Sequence, residues 1–128
     1  MNIEVSFPGG VAVDATFHGH TVHTDQPPPL GEDSAASPFD LFLASIATCA
    51  GFYALRFCQQ RNIPIEGLGV TMKSEKNPES KRIETAQIEL RLPQAFPEKY
   101  RSAILLAVDQ CTVKKHIMEP PKFEIDLV

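Results

Sequence analysis

No lysine or arginine occurs before Arg56, although the 128-residue chain carries 12 basic residues. An anion site in the early part of the chain must therefore borrow its cation from later residues or from a second copy. The net charge of −4 provides no basic face for a phosphate backbone, so nucleic acid is not an expected partner. Paired C-x-x-C spacing is also missing from the three cysteines, Cys49, Cys58 and Cys111. That excludes the usual structural zinc pattern, and an odd number does not suit a secreted disulfide scaffold. The opening residues hold no basic segment followed by an apolar run, so the expected compartment is the cytoplasm, with the cysteines as free thiols. With 43% hydrophobic and 22% charged residues, residues 1–128 read as a single globular domain.

Charge is absent from Leu41 to Leu55, where Ser45 and Thr48 supply the only side-chain hydroxyls before Tyr53. This run lies inside a helix expected over residues 37–62. Its start is Ser37-Pro38-Phe39-Asp40, a capping serine, a proline at the first helical position and an acid three residues after the cap. Its stop is Asn62, ahead of Ile63-Pro64. The apolar side chains do not settle on one face, so the helix reads as buried nearly all round. A bilayer span needs roughly 20 apolar residues, and this run is shorter, so no membrane is expected. One small sheet covers only one side of such a helix, and the rest calls for an intimate homodimer.

Around this helix, alternating residues predict strands over 2–7, 11–18 and 21–25, with Pro8-Gly9-Gly10 and Gly19-His20 as turns. Residues 26–37, with three prolines, form a long loop. Two further strands over 68–76 and 82–92 are joined by Asn77-Pro78-Glu79-Ser80. An amphipathic helix over 98–110 turns Ile104, Leu105 and Val108 inward, residues 112–118 add a short helix, and 122–128 alternate as a closing strand. The order β-β-β-α-β-β-α-β gives an α+β class with antiparallel sheets and a long buried central helix.

Cys49 sits about three turns into its helix, where the dipole helps little. Arg56 shares its face but stands roughly 10 Å along the axis. Cys58 lies on the opposite face, cannot bridge to Cys49, and reads as filler. By the usual criteria Cys111 is the better thiolate, since it opens a helix containing Lys114 and Lys115. Burial as a small hydrophobe is the ordinary alternative for each.

The run from Pro38 to Cys49, PFDLFLASIATC, resembles the helix motif of the OsmC/Ohr family, with a cysteine eleven positions after a proline. Cys111-Thr112-Val113-Lys114-Lys115-His116-Ile117 is similar to that family's second cysteine motif, with Thr112 in place of proline. Ile65-Glu66-Gly67 also fits, and the resemblance runs from about Pro28 to the C-terminus. It implies an OsmC-like fold in an intertwined homodimer, with a thiol peroxidase site at the dimer interface. Cys49 would be the peroxidatic thiol and Cys111 the resolving one, acting on organic hydroperoxides or hydrogen peroxide, with a dithiol reductant and no metal or cofactor. The family's peroxidases pair the thiolate with an N-terminal arginine and a glutamate after the proline. Here no arginine precedes Arg56 and Phe39 follows Pro38, so altered or weak activity is expected. Arg56, Arg82, Lys114 or a second subunit are the available replacements. The alternative is a non-catalytic homodimer that binds a small lipophilic ligand or senses redox state.

His18, His20 and His23 approach ligand spacing, yet Gly19 suggests a turn, and solvated histidines are the expectation. Glu32 and Asp33 read as solvated loop acids, and Asp40 as the partner of Ser37 in the helix cap.

Overall fold

Two compact units, Met1–Ala44 and Ser45–Val128, make up the computed structural model, which describes residues 1–128. The first contains the antiparallel sheet β1 (Glu4–Gly9), β2 (Ala12–Phe17) and β3 (His20–Thr24), in that spatial order. Val13 pairs with Thr24 and Phe17 with His20, so the two residues left to turn are His18 and Gly19. Their φ angles of 48° and 77° suit the two-residue hairpin turn that matches strand twist. The expected buried face of β1 is not formed within the chain, because Val5 and Phe7 remain exposed.

Beyond β3 the long loop is held by one carboxylate. Asp25, 4% exposed, accepts hydrogen bonds from the backbone N–H groups of Gln26 (2.8 Å), Ser34 (3.1 Å) and Glu32 (3.4 Å) and from the Ser34 hydroxyl (2.6 Å). A Cβ at Gly31 would lie 2.6 Å from Asp25 Oδ1 and collide with the Gln26 carbonyl oxygen, which is why this position has no side chain.

Helix α1 (Pro38–Gln60) begins with the reciprocal cap that its sequence predicts. The Asp40 amide donates to Ser37 Oγ at 3.1 Å and the Ser37 amide to Asp40 Oδ2 at 3.3 Å. It ends where Asn62 turns left-handed at φ 52° and the Ile63 amide reaches back to the Cys58 carbonyl at 2.9 Å. By length and composition alone α1 could cross a membrane. In this structure it supplies Ala50, Ala54, Phe57 and Cys58 to the core of the second unit. Phe39, Phe42 and Phe52 stay exposed, so all-round burial is not achieved inside one chain.

The rest of that core comes from the hairpin β4 (Gly69–Lys76) and β5 (Ile83–Arg91) and from α2 (Arg101–Asp109), which follows a one-turn 3₁₀ helix at Glu98–Tyr100. Val70 opposes Leu90 and Met72 opposes Ile88, while Lys73 and Glu89 form an ion pair of 2.8 Å on the wet face. Ile104 and Val108, one turn apart, fill the core. Leu105, expected inward, is 61% exposed, because the position beside Ile104 falls off the buried stripe. Helix α3 (Thr112–Met118) has the expected bounds. Residues 122–128 alternate as a strand should but form none: no ladder receives them, and Ile125 and Leu127 are fully exposed.

Asp25 provides a test of the loop. Its hydrogen bonds hold the carboxyl at about 2, below its ordinary 3.8. Its support for the loop is therefore complete above the ordinary value and lost as pH falls through the folded value. The Gln26 and Ser34 amide NMR shifts should titrate with a midpoint near 2; a midpoint at 3.8 would show that the carboxylate does not hold the loop.

Candidate functional site

Packing of α1 on α2 determines which thiols meet. Ala50 is fully buried and Cys49, one position before it, is half-buried at the edge of the core face of α1. On the other side Cys111 lies three residues beyond Val108 and continues its face. The Cys111 amide donates to the Val108 carbonyl at 3.2 Å, and its side chain is 1% exposed. It also caps α3, with Sγ accepting from the Lys114 amide at 3.4 Å. In this arrangement the Cys111 thiol and the backbone N–H groups of Val113 and Thr112 lie close enough to Cys49 Sγ to act on its ionisation.

These contacts drive the two thiols apart. For Cys49, burial opposes ionisation, but the Val113 N–H, the Cys111 thiol and the Thr112 N–H outweigh it and bring the group below the ordinary 9.0. For Cys111, burial has the largest effect and pushes the thiol up. The Lys114 and Val113 N–H groups pull it down, while the hydrogen bond to Cys49 and the Cys49 charge push it further up. These contacts favour Cys49 over the Cys111 thiolate that the sequence criteria suggest. The first amides of α3 face Cys49, and the Lys114 ammonium is paired with Asp109. A thiolate at Cys49 with a protonated thiol beside it is the arrangement these contacts favour.

Other candidates fall elsewhere. Arg56 turns to Gln59 at 2.9 Å, and Arg82 lies in the β4–β5 connection. Cys58 is fully buried in the core, where burial raises its thiol against the opposing charge of Arg61. His18 is in the β2–β3 turn, His20 opens β3, and His23 pairs with Asp14 at 3.0 Å, so the three share no ligand geometry. Glu32 and Asp33 are exposed in the loop.

Sequence reasoning missed two residues. Tyr53 Oη and Thr112 Oγ1 lie 3.0 Å apart, joining α1 to the residue after Cys111. Their places, four after Cys49 and one after Cys111, were visible, but their pairing is tertiary. Tyr53 also lines an open groove of about 530 Å³ with Phe52, Arg56, Phe57, Leu106 and Gln110.

Fold and site together define an α+β protein whose paired thiols are carried by a long apolar helix and by the start of a short one. Its residues 31–126 match the OsmC-like protein family, and the chain belongs to that family. No curated protein matches it. Among solved structures it is similar to one from Psychrobacter arcticus 273-4 named for an osmotic stress induced and detoxification response. There the identity is 21% and the TM-score 0.74, covering 90% of this chain and 86% of that one. It is also similar to an OsmC-like protein from Mycoplasma pneumoniae, at 14% identity and TM-score 0.71 over 93% and 87% of the two chains. A Vibrio cholerae OsmC-like protein of unknown function gives 14% identity and TM-score 0.61 over 89% and 90%. At these identities the likeness establishes the fold.

The thiol asymmetry has a direct readout. Iodoacetamide alkylation followed by mass spectrometry across pH should modify Cys49 first, with a midpoint below that of an ordinary thiol, and Cys58 and Cys111 slowly. Cys111→Ala removes one donor and should raise the Cys49 midpoint. Equal rates at all three cysteines would refute the asymmetry.

Proposed function

We propose that this protein is a thiol peroxidase that reduces small organic hydroperoxides or hydrogen peroxide in the reducing cytoplasm. The observation that carries the reading is the juxtaposition of Cys49 and Cys111, because it sets a lowered thiol beside a second sulfur that can resolve it.

The Cys49 thiolate attacks the terminal oxygen of the hydroperoxide. The O–O bond breaks, sulfur is oxidised to the sulfenic acid, and the alkoxide leaves as alcohol after taking a proton. Cys111 then attacks the sulfenic sulfur, a disulfide forms, and the sulfenic oxygen departs as water. A dithiol reductant exchanges with the disulfide, restores both thiols and leaves oxidised. Each cycle consumes one hydroperoxide and one dithiol. Activation by backbone amides in place of an arginine fits slow rather than efficient turnover, since such donors carry no full charge.

The working form in this reading is a homodimer. Phe42, Phe52, Leu105, Leu106 and Met118 are exposed apolar side chains, and residues 122–128 are an apolar alternating segment with no ladder. A second copy of the chain, covering these surfaces, accounts for both features. The groove lined by Phe52, Tyr53 and Leu106 favours a second reading, a non-catalytic homodimer that binds a small lipophilic ligand.

Reduced protein treated with one equivalent of cumene hydroperoxide should lose two thiols and yield a Cys49–Cys111 disulfide by peptide mapping. Cys49→Ser should abolish the reaction while leaving the fold intact. Survival of all three thiols would overturn the peroxidase and leave the binding reading. Light scattering should give twice the 14.1 kDa chain mass, and a stable monomer would overturn the dimer.

A further inference from the structure

Helix α3 has seven residues, too few to be stable alone, so its placement depends on tertiary ties. Its cap is a contact from the Lys114 N–H to the Cys111 Sγ at 3.4 Å, a weak bond. A stronger tie is beside it. Tyr53 lies one helical turn after Cys49 on the same side of α1, and its hydroxyl meets that of Thr112, the residue following Cys111, at 3.0 Å. Tyr53 is half-buried and Thr112 exposed, so the contact lies at the surface of the seam between the two segments. Loss of this contact would free the first turn of α3, where the Thr112 and Val113 amides that face Cys49 are located.

We propose that the Tyr53–Thr112 hydroxyl pair is the positioning element that holds the Cys111 segment against Cys49 and so sets the reactivity of Cys49. Neither hydroxyl touches the reacting atoms in this role. They act through the backbone and thiol donors, and the small size of the Tyr53 and Thr112 changes needed to test it leaves the core untouched. The inference rests on Cys49 being the reactive thiol of the proposed function, and it adds the residues that tune it.

The test is the pH profile of Cys49 alkylation by iodoacetamide, mapped by mass spectrometry, in variants whose melting temperatures match the parent. Tyr53→Phe keeps the ring and removes only the hydroxyl. It should shift the Cys49 midpoint upward and slow alkylation at neutral pH by about three- to tenfold, the effect of one hydrogen bond. Thr112→Val should do the same, Thr112→Ser should restore the parent profile, and Tyr53→Phe with Thr112→Val should be no worse than either alone. An unchanged midpoint in Tyr53→Phe, or additive losses in the double variant, would overturn the proposal. The readout needs no hydroperoxide, so it is separable from the proposed function. A chain inert to hydroperoxide whose alkylation still depends on Tyr53 would discard the peroxidase and keep the positioning pair. Hydroperoxide reduction with a Tyr53→Phe profile like that of the parent would do the reverse.

Discussion

The second unit depends on one buried cluster shared by α1 and α2. Ala50, Ala54, Phe57 and Cys58 of α1 lie in it with Ile63 and with Ile104 and Val108 of α2. Phe57 closes the end of this cluster, flanked by Phe96 and Tyr100, with the Arg61 guanidinium 3.6 Å above its ring. Ala50 and Ala54 are fully buried, and a larger residue at either would overpack this cluster. The thiol geometry is downstream of this packing, since Cys49 precedes Ala50 and Cys111 extends the face of Val108.

Which thiol ionises is then a matter of where donors point, not of which residue is nearer to a cation. Cys111 caps α3 and has the Lys114 and Val113 amides to lower it, but its burial, the hydrogen bond to Cys49 and the adjoining Cys49 charge dominate. Cys49 is buried too, yet two amides and a thiol converge on it. Fixed backbone donors lose no side-chain entropy and are not weakened by a competing ion pair, unlike Lys114, which is already engaged with Asp109. The absence of basic residues before Arg56 therefore does not leave Cys49 without stabilising contacts.

A second constraint is unburied apolar surface. The alternation of Ile3, Val5 and Phe7 and that of Phe123, Ile125 and Leu127 both specify strands with a dry side, and in a single chain neither side is dry. β1 forms nevertheless, because β2 gives it a hydrogen-bonding partner, whereas residues 122–128 have none. Pattern determines which face of a strand is apolar; a ladder determines whether there is a strand.

Local chemistry was legible in the sequence by itself. The reciprocal cap of Ser37 and Asp40, the stop at Asn62, the bounds of α3 and the two hairpin-linked groups of strands before α2 all follow from interactions among near neighbours. Recurrent cysteine spacing pointed to the OsmC-like family, and so to the fold, because a motif records solutions that physics alone does not rank. Tertiary structure decided the rest. The hold of Asp25 on its loop, the exposure of Leu105, the action of the Val113 and Thr112 amides on Cys49 and the meeting of Tyr53 with Thr112 depend on how the chain is folded back on itself. No local pattern encodes those distances; they exist only once the chain has packed.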